Sequence, residues 1–361
     1  MKTFRFDLLA LLIACLGFCG GCGGGGGESG SKGSPASTGG AGSAEAADES
    51  ATESDMHIAF VSNGVASFWN IAEAGVKKAG ADLGVDVSVH MPTGDETEDQ
   101  KGILEDLVTK QVDGVAISPV NPDNQQEILQ KTADNTRMIT VDSDAPKASR
   151  LLYLGMDNYD AGRMCGALVK EALPDGGSIM IFIGRLEQDN ARRRRQGVID
   201  EVLGRPHDPS NYDPPSALLE EGGYKILGTL TDQFDQSQGK ANVEDTLAKH
   251  TDIDGMVGLF AYNPPLILEA LKQAGKLGQV KVIGFDEDDV TLQGITDGTV
   301  YGTVVQNPYM YGYKSVEVLK AIIQGDDSVI PENKFIDIPA RQIRQDNVES
   351  FWSELKAMLG A

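Results

Sequence analysis

The sequence has 361 residues, of which 40 % are hydrophobic and 24 % are charged, a length and composition typical of about two globular domains. Its 54 acidic and 31 basic residues give a formal net charge of −23 at pH 7, and so acidic a chain repels nucleic acid and anionic membrane surfaces. The four histidines are scattered without metal-ligand spacing, so we expect no metal and no cofactor.

The N-terminal segment has the features of an export signal. An apolar run from Leu8 to Phe18 follows two basic residues, and it is too short to span a bilayer, which needs about 20 residues. Residues 1–22 are therefore predicted to be a signal peptide with a lipobox region, and the Gly/Ser/Ala-rich residues 23–55 a disordered tether.

This arrangement resembles a bacterial lipoprotein, exported to the periplasm or cell envelope and attached to the membrane only through an N-terminal lipid. Cys22 directly precedes the tether, whereas Cys15 ends the better local match to the lipobox. Both cysteines therefore stay candidate anchors, and cleavage without lipidation is the remaining alternative.

From His57 onward, short β-branched runs alternate with amphipathic stretches at helical period. The predicted strands are, in chain order, Ile58–Ser62, Val85–Met91, Gly114–Ser118, Met138–Asp142, Ser178–Ile183, Ile226–Thr231, Gly255–Leu259, Val280–Phe285, Gly302–Val305 and a late strand near Phe335–Ile338. The predicted helices are Trp69–Leu83, Glu98–Gln111, Gln125–Asn135, Tyr159–Leu173, Asn190–Leu203, Gln236–His250, Pro264–Ala274, Val290–Asp297, Tyr309–Ile323 and Val348–Leu359.

The alternation of strand and helix predicts an α/β fold with parallel sheets covered by helices on both faces. Nine or more strands in one body favour two such sheets over one. The proline-rich stretch Arg205–Gly223 is predicted to be an inserted surface loop.

Polar and aromatic residues follow the predicted strands, at the sheet edge where ligands bind in open parallel sheets. Planar polar groups can grip neighbouring hydroxyls, and flat rings suit the C–H faces of a pyranose, so together they predict a sugar site. Alternative structural roles are packing for the aromatic pair, turn capping for the aspartates, helix capping for the asparagine, and a solvated helix face for the arginine. The candidate ligand-binding residues are Phe68, Trp69, Asp142, Arg192, Phe234, Asn263, Asp286 and Gln306.

The order of these residues is similar to that in a known family. The stretches Ile139-Thr-Val-Asp142, Phe260-Ala-Tyr-Asn263, Val282-Ile-Gly-Phe-Asp286 and Gly302-Thr-Val-Val-Gln306 carry the likeness. Over His57 to Ile343 the chain resembles the ribose-binding branch of the type I periplasmic binding proteins.

The resemblance implies a non-enzymatic receptor with no catalytic residue. Such a protein binds a monosaccharide (a pentose, hexose or similar polyol) in a cleft between two similar doubly wound parallel-sheet lobes. The lobes are joined by a three-crossing hinge and close on the sugar, which an ABC-type permease in the membrane then receives. The implied lobes are residues 57–156 with 307–334 and residues 157–306 with 335–345, followed by a C-terminal helix over 346–361, in a monomer.

By position, the resemblance implies that Phe68 and Trp69 stack on the sugar from one lobe and Phe234 from the other. The remaining polar candidates would hold hydroxyls. Where ribose binders have an asparagine before the aromatic pair, this chain has Val65-Ala66-Ser67, and Ser143 replaces an arginine. These departures weaken the case for ribose while leaving a sugar expected.

Three other functions stay open from the sequence. A sensory receptor would present a sugar-like signal to a chemoreceptor or kinase. An enzyme would need a phosphate loop, a nucleophile elbow or a metal cluster, and the sequence contains none of these motifs. A transcription regulator of the same fold would need a helix-turn-helix and a basic face, whereas this chain begins with a signal and is acidic.

Overall fold

Two β-sheets with helices on both faces organise the residues described by this computed structural model, which are 56–94 and 96–359. The predicted signal peptide, the tether and the candidate anchors Cys15 and Cys22 lie outside the described residues. The predicted α/β class with two parallel-rich sheets is confirmed.

Thirteen strands are found in the described residues. They are β1 (His57–Val61), β2 (Asp86–His90), β3 (Gly114–Ile117), β4 (Arg137–Val141), β5 (Tyr153–Gly155), β6 (Gly177–Ile183), β7 (Leu219–Glu221), β8 (Tyr224–Thr231), β9 (Gly255–Gly258), β10 (Lys281–Phe285), β11 (Gly302–Val305), β12 (Phe335–Asp337) and β13 (Arg341–Ile343).

Ten α-helices connect the strands within the same residues. They are α1 (Ser67–Leu83), α2 (Glu96–Thr109), α3 (Gln126–Asn135), α4 (Asn158–Ala172), α5 (Asp189–Val202), α6 (Gln236–Lys249), α7 (Asn263–Gln273), α8 (Asp289–Thr296), α9 (Pro308–Ile323) and α10 (Val348–Leu359). None of the described helices has the length and apolarity that crossing a membrane requires.

The first sheet has the strand order β12-β5-β4-β3-β1-β2, and every neighbouring pair is parallel. In its central strands the side chains of both faces are buried, as in the run from Ile58 to Val61. A continuous apolar strand is what a parallel sheet covered on both faces requires. Helices α1 and α9 pack together on this sheet, and we call the assembly the first lobe.

The second sheet has the order β13-β11-β10-β9-β6-β8-β7. Its five inner strands are parallel, whereas the edge strands β7 and β13 run antiparallel to their neighbours. Helices α4 and α5 pack closely together on one side of this sheet. This second lobe contains the stretch Arg205–Gly223, whose last part forms β7.

The stretch Arg205–Gly223 lies at the surface, as predicted, with most of its residues exposed, and it is anchored to α5. The buried guanidinium of Arg195 on α5 donates to the carbonyl oxygens of Asp213 (2.8 Å) and Pro214 (3.1 Å). The Nε2 of Gln196 donates to the Asp213 carboxylate at 2.7 Å. The insertion is therefore tied to α5 before it adds an edge strand to the sheet.

The chain passes between the lobes three times, after β5, after β11 and between β12 and β13. The last crossing corrects the predicted boundary, which assigned residues 335–345 to the second lobe. Phe335 pairs with Tyr153 in the first sheet, whereas Ile343 pairs with Thr303 in the second. Strand β12 ends at Asp337, and the ladder cannot continue through Pro339, which has no N–H to donate, so the chain is free to cross there.

Candidate functional site

A cavity of about 490 Å³ lies between the lobes, at the carboxyl ends of the parallel strands. Both lobes contribute to it, and so does the crossing after β11. Its volume is in the range that suits a small molecule. The lining residues used below are Asn63, Phe68, Trp69, Glu96, Asp142, Gln188, Asn190, Arg194, Phe234, Phe260, Tyr262, Asp286 and Gln306.

Asp142 supplies a buried carboxylate from the first lobe. Its Oδ2 accepts hydrogen bonds from Ser118 Oγ (2.9 Å), Asn190 Nδ2 (3.1 Å) and Asn63 Nδ2 (3.4 Å). No described residue donates to its other oxygen, which is therefore available to a ligand. Burial raises the pKa of Asp142 to about 6, although the nearby Arg194 acts in the opposite direction.

Asp286 supplies a second buried carboxylate from the opposite lobe. Gln306 Nε2 donates to its Oδ1 at 2.8 Å, and its Oδ2 lies 3.9 Å from Nη1 of Arg194. Burial raises the pKa of Asp286, while the positive charge of Arg194 lowers it. One guanidinium thus faces the carboxylates of both lobes.

Arg194 is held firmly in this position, with 1 % of its surface exposed. Its Nη1 donates to the carbonyl oxygen of Leu259 at 2.8 Å, and its Nη2 donates to Asn158 Oδ1 at 3.1 Å. The guanidinium carbon lies 3.8 Å from the ring centre of Phe285, a cation–π distance. The guanidinium is therefore fixed before any ligand arrives.

Aromatic rings form two walls of the cavity. In the first lobe Phe68 and Trp69 meet edge to face at 4.9 Å, and the Trp69 indole donates to Asn63 Oδ1 at 3.2 Å. In the second lobe Phe234 and Phe260 stack with their ring centres 5.5 Å apart and 4° between their planes. Aromatic rings from both lobes can therefore stack on a ligand that has flat apolar faces.

Six of the eight candidate residues predicted from the sequence line this cavity. They are Phe68, Trp69, Asp142, Phe234, Asp286 and Gln306. The structure brings them together from distant parts of the chain, and it does not bring Arg192 or Asn263 to the cavity lining.

The predicted placement of Arg192 is corrected by the structure. Its side chain is one-third exposed, pairs with Asp189 at 3.3 Å and approaches Asp123 at 3.9 Å, beside a separate recess of about 90 Å³. Two residues along a helix turn the side-chain direction by about 200°. Arg194 therefore faces the cavity, and Arg192 faces away from it.

Asn263 is also corrected, because its side chain is used within the protein. Its Oδ1 accepts the Phe260 N–H at 3.0 Å, and its Nδ2 donates to Asp232 Oδ2 at 3.2 Å. Asp232 also accepts the hydroxyl of Tyr262 at 2.5 Å. Asn263 thus stabilises the turn from which Phe260 and Tyr262 reach the cavity.

Sequence reasoning missed Asn63, Gln188, Asn190 and Arg194. Asn63 directly follows the predicted strand Ile58–Ser62, so the rule that found the other residues could have found it. Asn190 begins the predicted helix after the fifth predicted strand, with six residues between the end of that strand and Asn190. Arg194 lies within four consecutive arginines, which give no sign of which one faces inward. Gln188 carries no signal in the sequence.

The lobes also touch each other directly at the cavity. Arg185, which follows β6, pairs through Nη2 with Glu96 Oε2 of α2 at 3.2 Å, and its guanidinium lies 4.6 Å from the ring centre of Phe234. The bond from Asn190 to Asp142 is a second link between lobes. The described arrangement is therefore a closed one.

No group of three or more potential metal ligands occurs among the described residues.

Comparison with known proteins gives consistent matches. A family model described as "Periplasmic binding protein domain" matches residues 58–327. The chain is 24 % identical over 288 residues to the ribose import binding protein RbsB of Haemophilus influenzae, covering 78 % of this chain and 90 % of that protein. It is 23 % identical over 313 residues to a D-ribose/D-allose-binding protein of Pseudomonas aeruginosa, covering 82 % and 92 %.

Solved structures give the same result. A solute binding protein of an ABC transporter from Burkholderia graminis, in complex with D-arabinose, is 27 % identical with a TM-score of 0.74. The alignment covers 82 % of this chain and 98 % of that one. GanP, a glucose-galactose binding protein from Geobacillus stearothermophilus, is 25 % identical with a TM-score of 0.71, covering 81 % and 98 %.

Proposed function

Because the chain belongs to the periplasmic binding protein family, whose model matches residues 58–327, we propose that its cavity binds a monosaccharide for delivery to an ABC-type permease. The relatives described above are a ribose import binding protein, a D-ribose/D-allose-binding protein and a solute binding protein of an ABC transporter, all of them binding proteins and not enzymes. The observation that carries the proposal is the lining of the cavity: buried carboxylates, carboxamides and a guanidinium between aromatic walls from two lobes.

These groups suit an uncharged polyol. The carboxylates of Asp142 and Asp286 accept hydrogen bonds from hydroxyls, and Arg194 donates to them. A hydrogen bond to a charged group contributes about 1.5–3 kcal/mol, so a few such bonds with ring stacking give about −8 kcal/mol, or micromolar affinity. Two carboxylates facing one guanidinium disfavour anionic sugars such as sugar phosphates.

Binding is coupled to closure in this proposal. The sugar contacts both lobes at once, so it stabilises the closed arrangement over an open one in which the half-sites are apart. No covalent step takes place. The permease would recognise the closed form, and sugar release would follow reopening of the lobes at the three crossings.

We also propose that the protein is a monomer exported to the periplasm or cell envelope and attached there by a lipid on Cys22, with Cys15 as the alternative. Labelling cells with a radioactive fatty acid tests this attachment. Cys22→Ala is expected to abolish the label on the protein, and Cys15→Ala to keep it. The reverse pattern would move the anchor to Cys15, and label retained in both variants would contradict lipidation at either residue.

A thermal-shift screen tests the proposed function. The panel is D-ribose, D-allose, D-arabinose, D-fucose, D-glucose, D-galactose and xylitol. A sugar at 100 times its Kd is expected to stabilise the protein by about 2.7 kcal/mol, which raises Tm by about 4 °C for a body of about 300 residues. Trp69→Ala should lose the shift. If no sugar raises Tm, monosaccharide binding is refuted.

A further inference from the structure

Gln188 has a buried carboxamide without a hydrogen-bond partner. The residue is 1 % exposed and lines the cavity, yet neither Oε1 nor Nε2 is bonded within the described part of the chain. It is the N-cap residue of α5, but its side chain makes no capping bond to the helix. Its polar atoms therefore have no structural role in the fold.

The other buried carboxamides of the cavity differ from Gln188. Asn63 receives the Trp69 indole N–H and donates to Ser118 and Asp142. Gln306 receives the Tyr311 hydroxyl hydrogen at 3.1 Å and donates to Asp286. These two side chains position their neighbours, whereas Gln188 is left with a free donor and a free acceptor.

Asn190 shares this feature in part. Its Nδ2 is used by Asp142, but its Oδ1 is buried and unpaired. Buried polar atoms are nearly always satisfied, because an unmade hydrogen bond costs as much as the desolvation of the group. Two such side chains, two residues apart at the start of α5 and both lining the cavity, indicate partners supplied by a ligand.

We propose that Gln188 is a specificity-determining residue, which grips two neighbouring hydroxyls of the sugar through Oε1 and Nε2, with Asn190 Oδ1 accepting beside it. Each hydroxyl both donates and accepts, so a vicinal pair matches the two ends of a carboxamide. The site then selects sugars that carry both hydroxyls at this edge over their deoxy analogues. This inference rests on the proposed function.

Selectivity of this kind is strong, because a missing hydroxyl leaves the buried carboxamide unpaired. Replacing Gln188 by methionine keeps the length of the side chain and removes both polar atoms. The methionine side chain has no carboxamide that a missing hydroxyl could leave unpaired. The variant should therefore no longer distinguish the parent sugar from the deoxy sugars that lack these hydroxyls.

The experiment uses the sugar of the panel that gives the largest thermal shift, together with its monodeoxy analogues. Calorimetric titration measures Kd for the wild type, Gln188→Met and the control Gln273→Met, whose side chain is exposed on α7. We expect the wild type to bind one or two deoxy analogues about 10- to 100-fold more weakly than the parent. Gln188→Met should bind parent and these analogues equally, with an unchanged or higher ligand-free Tm.

Several results would overturn the inference. One is that Gln188→Met keeps the wild-type affinities for all the sugars, and another is that it binds every deoxy sugar more weakly by the same factor. A fall in the Tm of the ligand-free variant would show that Gln188 has a structural role. Gln188→Asn, which keeps the carboxamide but shortens it, should weaken parent binding without lowering Tm. If the wild type binds no sugar, the proposed function fails and this inference falls with it; if only the variants disagree, this inference alone fails.

Discussion

At the residue scale, the two lobes place their carboxylates by the same device. Asp142 and Asp286 each directly follow a buried parallel strand, and each has a left-handed backbone, with φ of 61° and 65°. Their N–H groups donate to Leu154 and Val304 in the neighbouring strands, at 3.2 and 2.7 Å. Aspartate tolerates this region of φ better than most residues, so the strand ends turn and aim the carboxylates into the cavity.

Replacing the Asp286 carboxylate tests this device without disturbing the turn. Asp286→Asn keeps a side chain that tolerates left-handed φ. It replaces the carboxylate, whose oxygens accept hydrogen bonds from sugar hydroxyls, with a neutral carboxamide. We expect sugar affinity to fall at least about 30-fold, or about 2 kcal/mol, while Tm of the ligand-free protein is kept. The exposed Asp245→Asn on α6 is the matched control for titration calorimetry. Unchanged affinity in Asp286→Asn would remove Asp286 from the site.

Sugar binding is expected to weaken in acid. The pKa of Asp142 is about 6 because of its burial, so the group gains a proton as pH falls below that value. A protonated carboxyl accepts hydroxyl donors poorly, and the sugar must compete with the proton. Kd should therefore rise about tenfold between pH 8 and pH 5, as one bound proton requires. Asp142→Asn should bind the sugar weakly, and its Kd should depend less on pH than that of the wild type. If the pH dependence of Kd is the same in both proteins, another group is responsible for it.

At the element scale, α5 divides its arginines between different tasks. Arg194 faces the cavity, Arg195 anchors the insertion, and Arg192 lies at the rim near Asp123. A run of like charges is commonly a solvated helix face, yet here two of its members are buried. The helix thus contacts the cavity, the insertion Arg205–Gly223 and, through Arg192, Asp123 of the first lobe.

The contrast between Arg194 and Arg192 is measurable. Arg194→Met leaves two buried carboxylates without their shared cation, so the free energy of unfolding should fall by about 3 kcal/mol and sugar binding should be lost. Arg192→Met should change stability by no more than about 0.5 kcal/mol and affinity by less than about twofold. Urea denaturation and titration calorimetry compare the pair. A larger loss in Arg192→Met would reverse the assigned orientation of α5.

The sequence was sufficient for the long elements, because their burial and periodicity are local properties. The buried run from Ile58 and the helix over α9 were predicted close to their observed bounds. The three-residue strands β5, β7 and β13 were missed, whereas the equally short β12 was predicted. The sheet membership of β12 depends on the pairing of Phe335 with Tyr153, which no local signal reveals.

The candidate site was predictable where residues directly follow strands, as Asp142, Asp286 and Gln306 do. It was not predictable where the outcome depends on helix phase, as for Arg192 and Arg194. The prediction also failed where a side chain has several possible hydrogen-bond partners. Asn263 finds its partners in Phe260 and Asp232, whereas Gln188 finds none, and only the three-dimensional arrangement separates the two.

At the scale of the whole molecule, closure brings side chains of the two lobes into contact around the cavity. The pair of Glu96 and Arg185 is partly buried, with side chains 28 % and 11 % exposed, and Arg185 also covers Phe234. A pair of this kind can form only when the lobes meet. It should therefore slow sugar release by stabilising the closed arrangement over the open one.

A double-mutant cycle tests this role of the pair. Glu96→Gln and Arg185→Met should each raise the sugar dissociation rate about three- to tenfold, and the double variant should be little faster than the faster single one. Stopped-flow measurement of tryptophan fluorescence gives the rates. Glu73→Gln, which breaks a pair with Lys77 inside α1, is the matched control and should have no effect. Fully additive single effects would show that the two residues act separately.

The membership of β12 in the first sheet also affects how the chain matures. This edge strand begins about 180 residues after its partner β5 ends, a distance that takes roughly 9–36 s to synthesise at about 5–20 residues per second. During that interval the first lobe lacks its outer strand and cannot reach its final stability. A polypeptide that must pass through a narrow secretion pore before it folds gains from such a delay, because premature compaction on the ribosome would block its passage.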